Sequence, residues 1–499
     1  MAKSSDEANS RHLEVERKFE VFESTVSPSF EGLSSVARVE RSPSQQLDAV
    51  YFDTPAHDLA ARRVTLRRRT GGSDAGWHLK LPAGPDARTE VRAPLGDERE
   101  SDSVPDELLG IVLAIVRDRP IGPVARISTS RTVDVLYGPD GAALAEFCDD
   151  QVVARAEDEE SKQRWREWEL ELAEGADRGL LDRLANRLLD AGAVPAGHGS
   201  KLARVLEGDD GDAEKVELPA DPVHRAVAEQ VEQLLVWDRA VRADVYDSVH
   251  QMRVTTRKIR SLLQGSEDAF GISDDAWILD ELQQLAAVLG VARDAEVLAE
   301  KYEKALDELP ADLIRGPVRE RLVDGAKKRY ESGHRRSLIA MRSARYFRLL
   351  DALDALVATA PPPAPSGDEE PATATIDSAY KRVRKAAKAA KDAASEDERD
   401  EALHRIRKRA KRLRYTASAT GAEKVADRAK SIQSLLGDHQ DSVVSRTHLS
   451  SEAQTAYAAG EDTFTYGVLY QLEDAVARQA DEDLPAALKK LDKSVRKDM

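Results

Sequence analysis

The sequence predicts an α+β multidomain chain in which a β-rich domain precedes an all-α domain built from a repeated helical unit. Three observations predict it. Up to about residue 173, short segments alternate apolar and charged residues and are separated by RTGGSDAG, YGPDGA and AEDEESKQ, the spacing of strands and hairpins. An acidic, proline-flanked run, GDDGDAEKVELPADP (208–222), follows, and beyond it Ala, Leu, Arg, Lys and Glu dominate, with apolar residues three and four apart. Within that half, VHQMRVTTRKIRSLL (249–263) and LHRIRKRAKRLRYTA (403–417) answer each other, which marks an internal duplication.

At 499 residues the chain exceeds what one hydrophobic core supports. The expected division is a disordered N-terminus (1–10), a β-rich domain (11–207), a linker (208–222) and a helical domain (223–496). PPPAPSGDEEPATA (361–374) forms an internal junction of the helical domain. A single cysteine, Cys148, excludes an internal disulfide framework and a cysteine metal cluster. No apolar run reaches membrane-span length and MAKSSDEANS lacks a signal-peptide core, so a cytoplasmic protein is expected. The net charge of −17 repels polyanions at long range, so a phosphate-rich partner must be drawn by local basic surfaces.

The strands follow in order. In HLEVERKFEV, Leu13, Val15, Phe19 and Val21 share one face, and Glu14, Glu16, Lys18 and Glu20 the other, because successive strand side chains point to opposite sides. In VTLRRRT, Thr65, Arg67 and Arg69 share a face. Lys80 in WHLKLP turns away from Trp77, Leu79 and Leu81, and in ARTEVRAPL Arg88, Glu90 and Arg92 oppose Val91. ALAEFCDDQVV places Glu146 and Asp150 together, with Asp149 opposite. WREWELEL sets Glu167, Glu169 and Glu171 against Trp168, Leu170 and Leu172. One amphipathic helix, about 177–191, closes this half.

Two architectures suit these strands. A flat sheet leaves the charged side wet, whereas a barrel of about eight strands turns it inward around a ligand and needs its apolar outside covered. The charges are sorted by strand. Carboxylates gather at Glu14, Glu16, Glu169 and Glu171, which suits a hard divalent cation such as Mg²⁺ or Mn²⁺. Cations gather at Arg67, Arg69, Lys80 and Arg92, which suits phosphate oxygens. A metal site beside a phosphate cradle describes phosphoryl transfer or phosphoanhydride hydrolysis. On the residues alone, both architectures stay open.

Glu14-Val15-Glu16-Arg17-Lys18 resembles the Glu-x-Glu-x-Lys signature of the CYTH family, the triphosphate tunnel metalloenzymes. The resemblance continues through YFDT (51–54), residues 66–69, Lys80, Glu90 with Arg92, Arg131, the Asp149/Asp150 pair, the Glu-x-Glu-x-Glu of 167–171, and Ser200-Lys201. It implies a tunnel-shaped antiparallel β-barrel holding a triphosphate and a divalent metal. Glu14, Glu16, Glu169 and Glu171, with Glu167 and Asp150, correspond to the metal-facing set; alternation from Glu146 favours Asp150 over Asp149 where the family often has Asp-x-Gly. Lys18, Arg67, Arg69, Lys80, Arg92, Arg131 and Lys201 correspond to the phosphate set, and Glu90 would orient these bases. Lys18 and Lys201 serve alternatively as organisers of the carboxylates. Glu14, Glu16, Lys18 and Glu90 are the expected catalytic residues.

In the helical half, His250, Arg253, Arg257 and Arg260 step by three, four and three, as do His404, Arg407, Lys411 and Arg414. Each set forms one stripe of a helix. No acidic residue lies between Asp247 and Glu267 or between Glu401 and Glu423, and two such stripes suit a linear polyanion. Tyr415 is the one aromatic residue adjoining either, so a base-reading nucleic-acid site is disfavoured. LGVARD and LGDHQD extend the duplication downstream. This half resembles the CHAD family, the conserved histidine α-helical domains, which implies two pseudo-symmetric helical bundles and a groove for inorganic polyphosphate; Lys258, Lys408 and Arg345 would support it. The expected function is a metal-dependent triphosphatase of inorganic triphosphate or short polyphosphate coupled to a polyphosphate-binding module, with association to polyphosphate granules. The alternatives are a non-catalytic polyphosphate-binding protein, and adenylyl cyclase or thiamine triphosphatase activity.

Overall fold

The computed structural model describes residues 11–96, 103–207, 221–265, 270–273, 276–358, 376–419 and 421–498. The expected disordered N-terminus, residues 208–220 of the expected linker and the junction at 361–374 lie outside the described residues. Among the described residues there are ten strands: β1 (Arg11–Val21), β2 (Arg38–Arg41), β3 (Gln45–Asp53), β4 (Thr65–Thr70), β5 (Gly76–Pro82), β6 (Ala87–Ala93), β7 (Gly122–Tyr137), β8 (Ala143–Ala156), β9 (Gln163–Leu172) and β10 (Val194–Pro195). Eight run in the order β1-β6-β5-β4-β3-β7-β8-β9, and β9 pairs back onto β1 with Lys18 opposite Glu169. Every pairing is antiparallel, so the sheet is a closed barrel and not an open layer. β2 joins β7, and β10 joins β1.

The apolar outside is covered by helices. α1 (Asp58–Ala61) and α2 (Asp106–Val116) lie over β3 to β6, with Leu59, Leu108, Val112 and Ile115 packed on Phe52, Leu66, Trp77, Leu79 and Val91. Alternation in β1 to β9 gave no sign of α2, because DELLGIVLAIV is apolar nearly all round and carries no amphipathic stripe. α3 (Arg178–Asp190) matches the expected helix; Asp177 caps it, accepting from the Gly179 N–H at 3.1 Å. Its Leu180, Leu181, Leu184 and Leu188 bury Phe19, Phe147, Trp168 and Leu170. Trp168 is wholly buried, so truncating it to Ala costs about 3–5 kcal/mol.

α4 (Lys201–Glu207) does something different. Its Leu202 and Val205 cluster with Ala49, Ile127, Val152 and Ala154. These residues share the lumen face of β3, β7 and β8 with Arg131 and Asp150. α4 therefore packs apolar side chains into one part of the barrel interior and delivers Lys201 to the boundary with the charged part. The YFDT carboxylate is structural: Asp53 accepts from the backbone N–H groups of Thr54, Leu59 and Ala60 at 2.7–2.9 Å and so starts α1.

The helical part comprises α5 (Pro222–Arg242), α6 (Ser248–Gly265), α7 (Trp277–Glu308), α8 (Gly325–Ala340), α9 (Ala344–Ala358), α10 (Ile376–Lys391), α11 (Glu396–Ala419), α12 (Glu423–Ala458) and α13 (Phe464–Asp498). The chain forms two compact units, Met1–Ala286 with Leu338–Pro362, and Ala287–Ser337 with Pro363–Met499. Within the first, the barrel is tied to α5 and α9 by arginines. Arg117, just past α2 and buried, reaches Asp351 and Asp354, and Arg62 reaches Glu232 at 2.5 Å and Asp354 at 3.1 Å. Tyr346 of α9 donates to Asp238 of α5 at 2.9 Å. Within the second, Leu403, Ile406, Ala410 and Leu413 of α11 pack with Val425, Ile432 and Leu436 of α12 and Leu491 of α13. Among the described residues no helix is long and apolar enough to cross a membrane.

Candidate active site

Closing the sheet converts alternation along each strand into rows around the lumen. Glu16 faces Glu171 across β1 and β9, and Glu171 faces Glu146 across β9 and β8. The next row sets Lys18 opposite Glu169, and the one after sets Glu167 opposite Asp150 and Asp150 opposite Arg131. On the other wall, Glu90 faces Lys80 and Lys80 faces Thr65; Arg92 faces His78, His78 faces Arg67, and Arg67 faces Tyr51. A cavity of about 360 Å³ results, lined by Glu14, Glu16, Lys18, Arg67, Arg69, Lys80, Glu90, Arg92, Arg131, Glu169, Glu171 and Lys201. All twelve were singled out in the sequence.

Asp150 and Glu167, also expected at the metal, lie deeper and form one compact cluster with Glu169, their oxygens within 4.8 Å of one another. Asp150 points inward, whereas Asp149 points out and pairs with Arg166 at 2.6 Å and Ser27 at 2.7 Å. The inward cluster surrounds an ammonium: Lys201 Nζ stands 2.8 Å from Asp150, 2.7 Å from Glu167 and 2.7 Å from Glu169. Arg131 adds a two-pronged bond to Asp150 at 2.7 and 2.6 Å and reaches Glu169, as does Lys18. Burial would raise these carboxyls, but the cations outweigh it. Lys201 and Arg131 hold Asp150 below its usual range, and Lys18, Lys201 and Arg131 hold Glu169 well below. Lys201 is thus in contact with three carboxylates, the geometry its alternative role requires.

Nearer the β1 start the carboxyls split, two of them shifting the opposite way. Glu171 is pushed up to about 7 by burial, with Glu14, Glu16 and Glu169 adding repulsion that Lys80 only partly offsets. Glu14 is raised too, chiefly by burial, although Lys80 Nζ stands 2.5 Å away. Glu16, also buried, is kept down at about 2 by Lys18 and Lys80. Like charges directly opposite across strands destabilise a sheet. Glu14, Glu16, Glu171 and Glu146 therefore make a place with more negative charge than its lysines cancel, and oxygen donors of this kind could hold a hard divalent ion.

The cationic wall carries its own strain. Arg69 is buried and lowered to about 9 by burial and by Arg67 and Arg131, and its partner is Asp74 of the β4–β5 turn. Tyr51 accepts from Arg67 at 3.3 Å. Glu90, wholly buried, holds Arg92 and faces His78 Nδ1 at 2.8 Å. Tyr51, Asp74, His78, Arg88 and Glu146 were not proposed as site residues. Arg88 and Glu146 already lay on the inward faces by alternation, and His78 sits two residues before Lys80 on the same face, so that signal existed for these three.

The basic stripes belong to different compact units. On α6, His250, Arg253 and Arg260 are half-buried and Arg257 and Lys258 exposed; Arg253 Nε donates to the Ala286 carbonyl at 3.3 Å. On α11, His404, Arg407, Lys411 and Arg414 are half-buried and Lys408 exposed. His404 Nδ1 lies 2.8 Å from Gln440 Oε1, and Arg414 stacks 4.7 Å from the Tyr415 ring centre. Arg345, expected as a supporting contact, is engaged with Glu281 at 2.6 Å.

Family models match residues 12–201 as a CYTH domain and residues 225–450 as a CHAD domain. Two proteins of Mycobacterium tuberculosis, from strains CDC 1551 / Oshkosh and ATCC 25618 / H37Rv and both described as uncharacterized, are 67% identical over 98% of this chain and 98% of their own. Among solved structures, the CHAD domain from the plant Ricinus communis is 25% identical, covers 54% of this chain and 90% of its own, and gives a TM-score of 0.40. A protein from Pyrococcus horikoshii OT3 is 16% identical, covers 39% of this chain and 98% of its own, and gives 0.25. A closed charged barrel over the first match and paired helical segments over the second leave one conclusion: the chain belongs to the proteins in which a CYTH domain is fused to a CHAD domain.

Proposed function

We propose that the barrel hydrolyses inorganic triphosphate, or short polyphosphate, with Mg²⁺ or Mn²⁺, and that the helical half binds longer polyphosphate. One observation carries the reading: one barrel lumen has carboxylates in excess on β1 and β9 and cations in excess on β4, β5 and β7. That is the charge pattern of a metal–triphosphate complex. Glu14, Glu16 and Glu171, with Glu146 beside them, are the donors for the metal. The Asp150–Glu167–Glu169 cluster already has its cation in Lys201. When bound, the metal supplies a Lewis acid that polarises phosphoryl oxygens.

The residues of the chain do the rest. Arg67, Arg69, Lys80, Arg92 and Arg131 take the phosphate oxygens and neutralise charge on the transferring group. Glu90 keeps Arg92 and Lys80 aimed inward, and Lys18, fixed between Glu16 and Glu169, holds the acidic wall in place. Attack by water in line with the leaving phosphate needs no serine or cysteine nucleophile. Cys148 is buried and its thiol is pushed up to about 12 by burial. The cavity lining includes no aromatic surface beyond Tyr51 and His12 on which a base or thiazolium could stack, which favours inorganic triphosphate over a nucleotide or thiamine ester. His250, Arg253, Arg257, Lys258, Arg260, His404, Arg407, Lys408, Lys411 and Arg414 are the proposed contacts for long-chain polyphosphate.

The test is phosphate release from tripolyphosphate by the full-length protein. Release appears with Mg²⁺ or Mn²⁺, stops with EDTA, and falls below detection in Glu16→Ala. Release that persists in EDTA ends the metal reading; cyclic AMP from ATP at a comparable rate shifts the assignment to adenylyl cyclase.

A further inference from the structure

His78 is only 1% exposed and none of the chemistry above employs it. Its Nδ1 lies 2.8 Å from Glu90 Oε1 and its Nε2 3.0 Å from the Asp74 carbonyl oxygen. Both neighbours are acceptors, since Glu90 is kept ionised, against its burial, by His78 itself, Lys80 and Arg92. A neutral imidazole offers one N–H and one lone pair. It can satisfy one of these oxygens and must turn its lone pair on the other; an imidazolium satisfies both.

The surroundings oppose that charge. His78 stands directly opposite Arg67 on β4 and Arg92 on β6. Arg69 is the next inward residue of β4, and Lys80 the next of β5. Against these four cations stand Glu90 on β6 and Asp74 in the turn, the latter taken up by Arg69. Burial, with Arg67 and Arg69 adding to it and Glu90 opposing it, pushes the imidazolium down to about 4. In these surroundings the ring is neutral at pH 7, and one of its two contacts lacks a proton.

We propose that a phosphate chain entering this tunnel binds together with one proton, taken up by His78. The inference rests on the tunnel reading and adds a proton linkage to it. Phosphate oxygens seated against Arg67, Arg69 and Arg92 cancel the arginines' share of the opposition to a charged ring and add negative charge that outweighs the cost of burying it. A proton from solvent then adds to the free ring nitrogen, and both acceptors gain a donor. No other bond forms or breaks. Binding is consequently favoured by acid over the range in which the free ring is neutral and the bound ring charged.

Calorimetry of tripolyphosphate binding to the full-length protein tests this, in EDTA, in two buffers of different ionisation heat. Wild type is expected to take up about one proton more than His78→Gln. Relative to that variant, its affinity falls toward tenfold per pH unit as pH rises above about 4, until the bound ring itself loses its proton. The wild-type ¹⁵N-imidazole signal of His78 moves from neutral to doubly protonated on adding tripolyphosphate, which decides the matter even if the variant fails to fold. Equal proton counts in the two proteins, or a His78 signal that stays neutral in the complex, overturn the proposal alone. Absence of binding both in EDTA and with Mg²⁺ overturns the tunnel reading with it.

Discussion

Glu171→Gln should make the metal-free protein more stable. In the wild type the Glu171 carboxyl sits at about 7 where 4.5 is ordinary, because burial and the facing glutamates oppose its charge. At about 1.4 kcal/mol per tenfold, keeping it ionised costs the fold on the order of 3 kcal/mol. Between pH 4.5 and about 7 the folded state holds this proton more tightly than the unfolded chain. Stability therefore falls as pH rises through that window, and the cost is fully present above it. Glutamine keeps the shape and removes the charge. In EDTA at pH 8 its Tm should exceed that of wild type by roughly 6 to 12 °C, taking about 2–4 °C per kcal/mol for a unit of this size, and the two should converge below pH 4.5. Saturating Mg²⁺ should raise the wild type much more than the variant, because the ion relieves the same repulsion in the wild type alone. Thermal unfolding across pH, with and without metal, measures all three. A variant no more stable than wild type at pH 8 in EDTA refutes the claim that this wall carries more negative charge than its cations cancel.

Lys201→Met should act in the reverse sense. Removing the ammonium leaves Asp150, Glu167 and Glu169 facing one another in a buried cluster, at a cost of about 3–5 kcal/mol. Asp150 and Glu169 lose a cation that holds their carboxyls down, so the loss should be largest at pH 8 and shrink on acidification to pH 5 in thermal unfolding; a pH-independent loss would contradict the role given to Lys201. Replacing His250, Arg253, His404 and Arg407 by Ala should abolish long-chain polyphosphate binding, measured by co-sedimentation or calorimetry, while tripolyphosphate turnover stays within about twofold; turnover lost in parallel would mean the two halves do not divide the work.

Alternation with a period of two was enough to sort side chains into an acidic and a basic face, strand by strand, and the identical steps of His250–Arg260 and His404–Arg414 exposed the duplicated helices. Those patterns are local, and local geometry dictates them. Sequence therefore determined which residues could meet in a lumen: most of the charged residues that line the cavity were legible, and alternation put Asp150 rather than Asp149 on the inward face. It left open whether the sheet closes, because closure depends on β9 finding β1 about 150 residues away, and whether the apolar outside is covered, because α2 is apolar all round and shows no stripe. Nor could alternation set the register between strands. Only the folded barrel decided that Lys201 meets three carboxylates at once, that Glu16, Glu171 and Glu146 share a row, and that His78 lies between Glu90 and the Asp74 carbonyl. Which charges cancel and which remain unmatched is a matter of distances across the lumen, and those distances exist only after long-range pairing has brought the strands together.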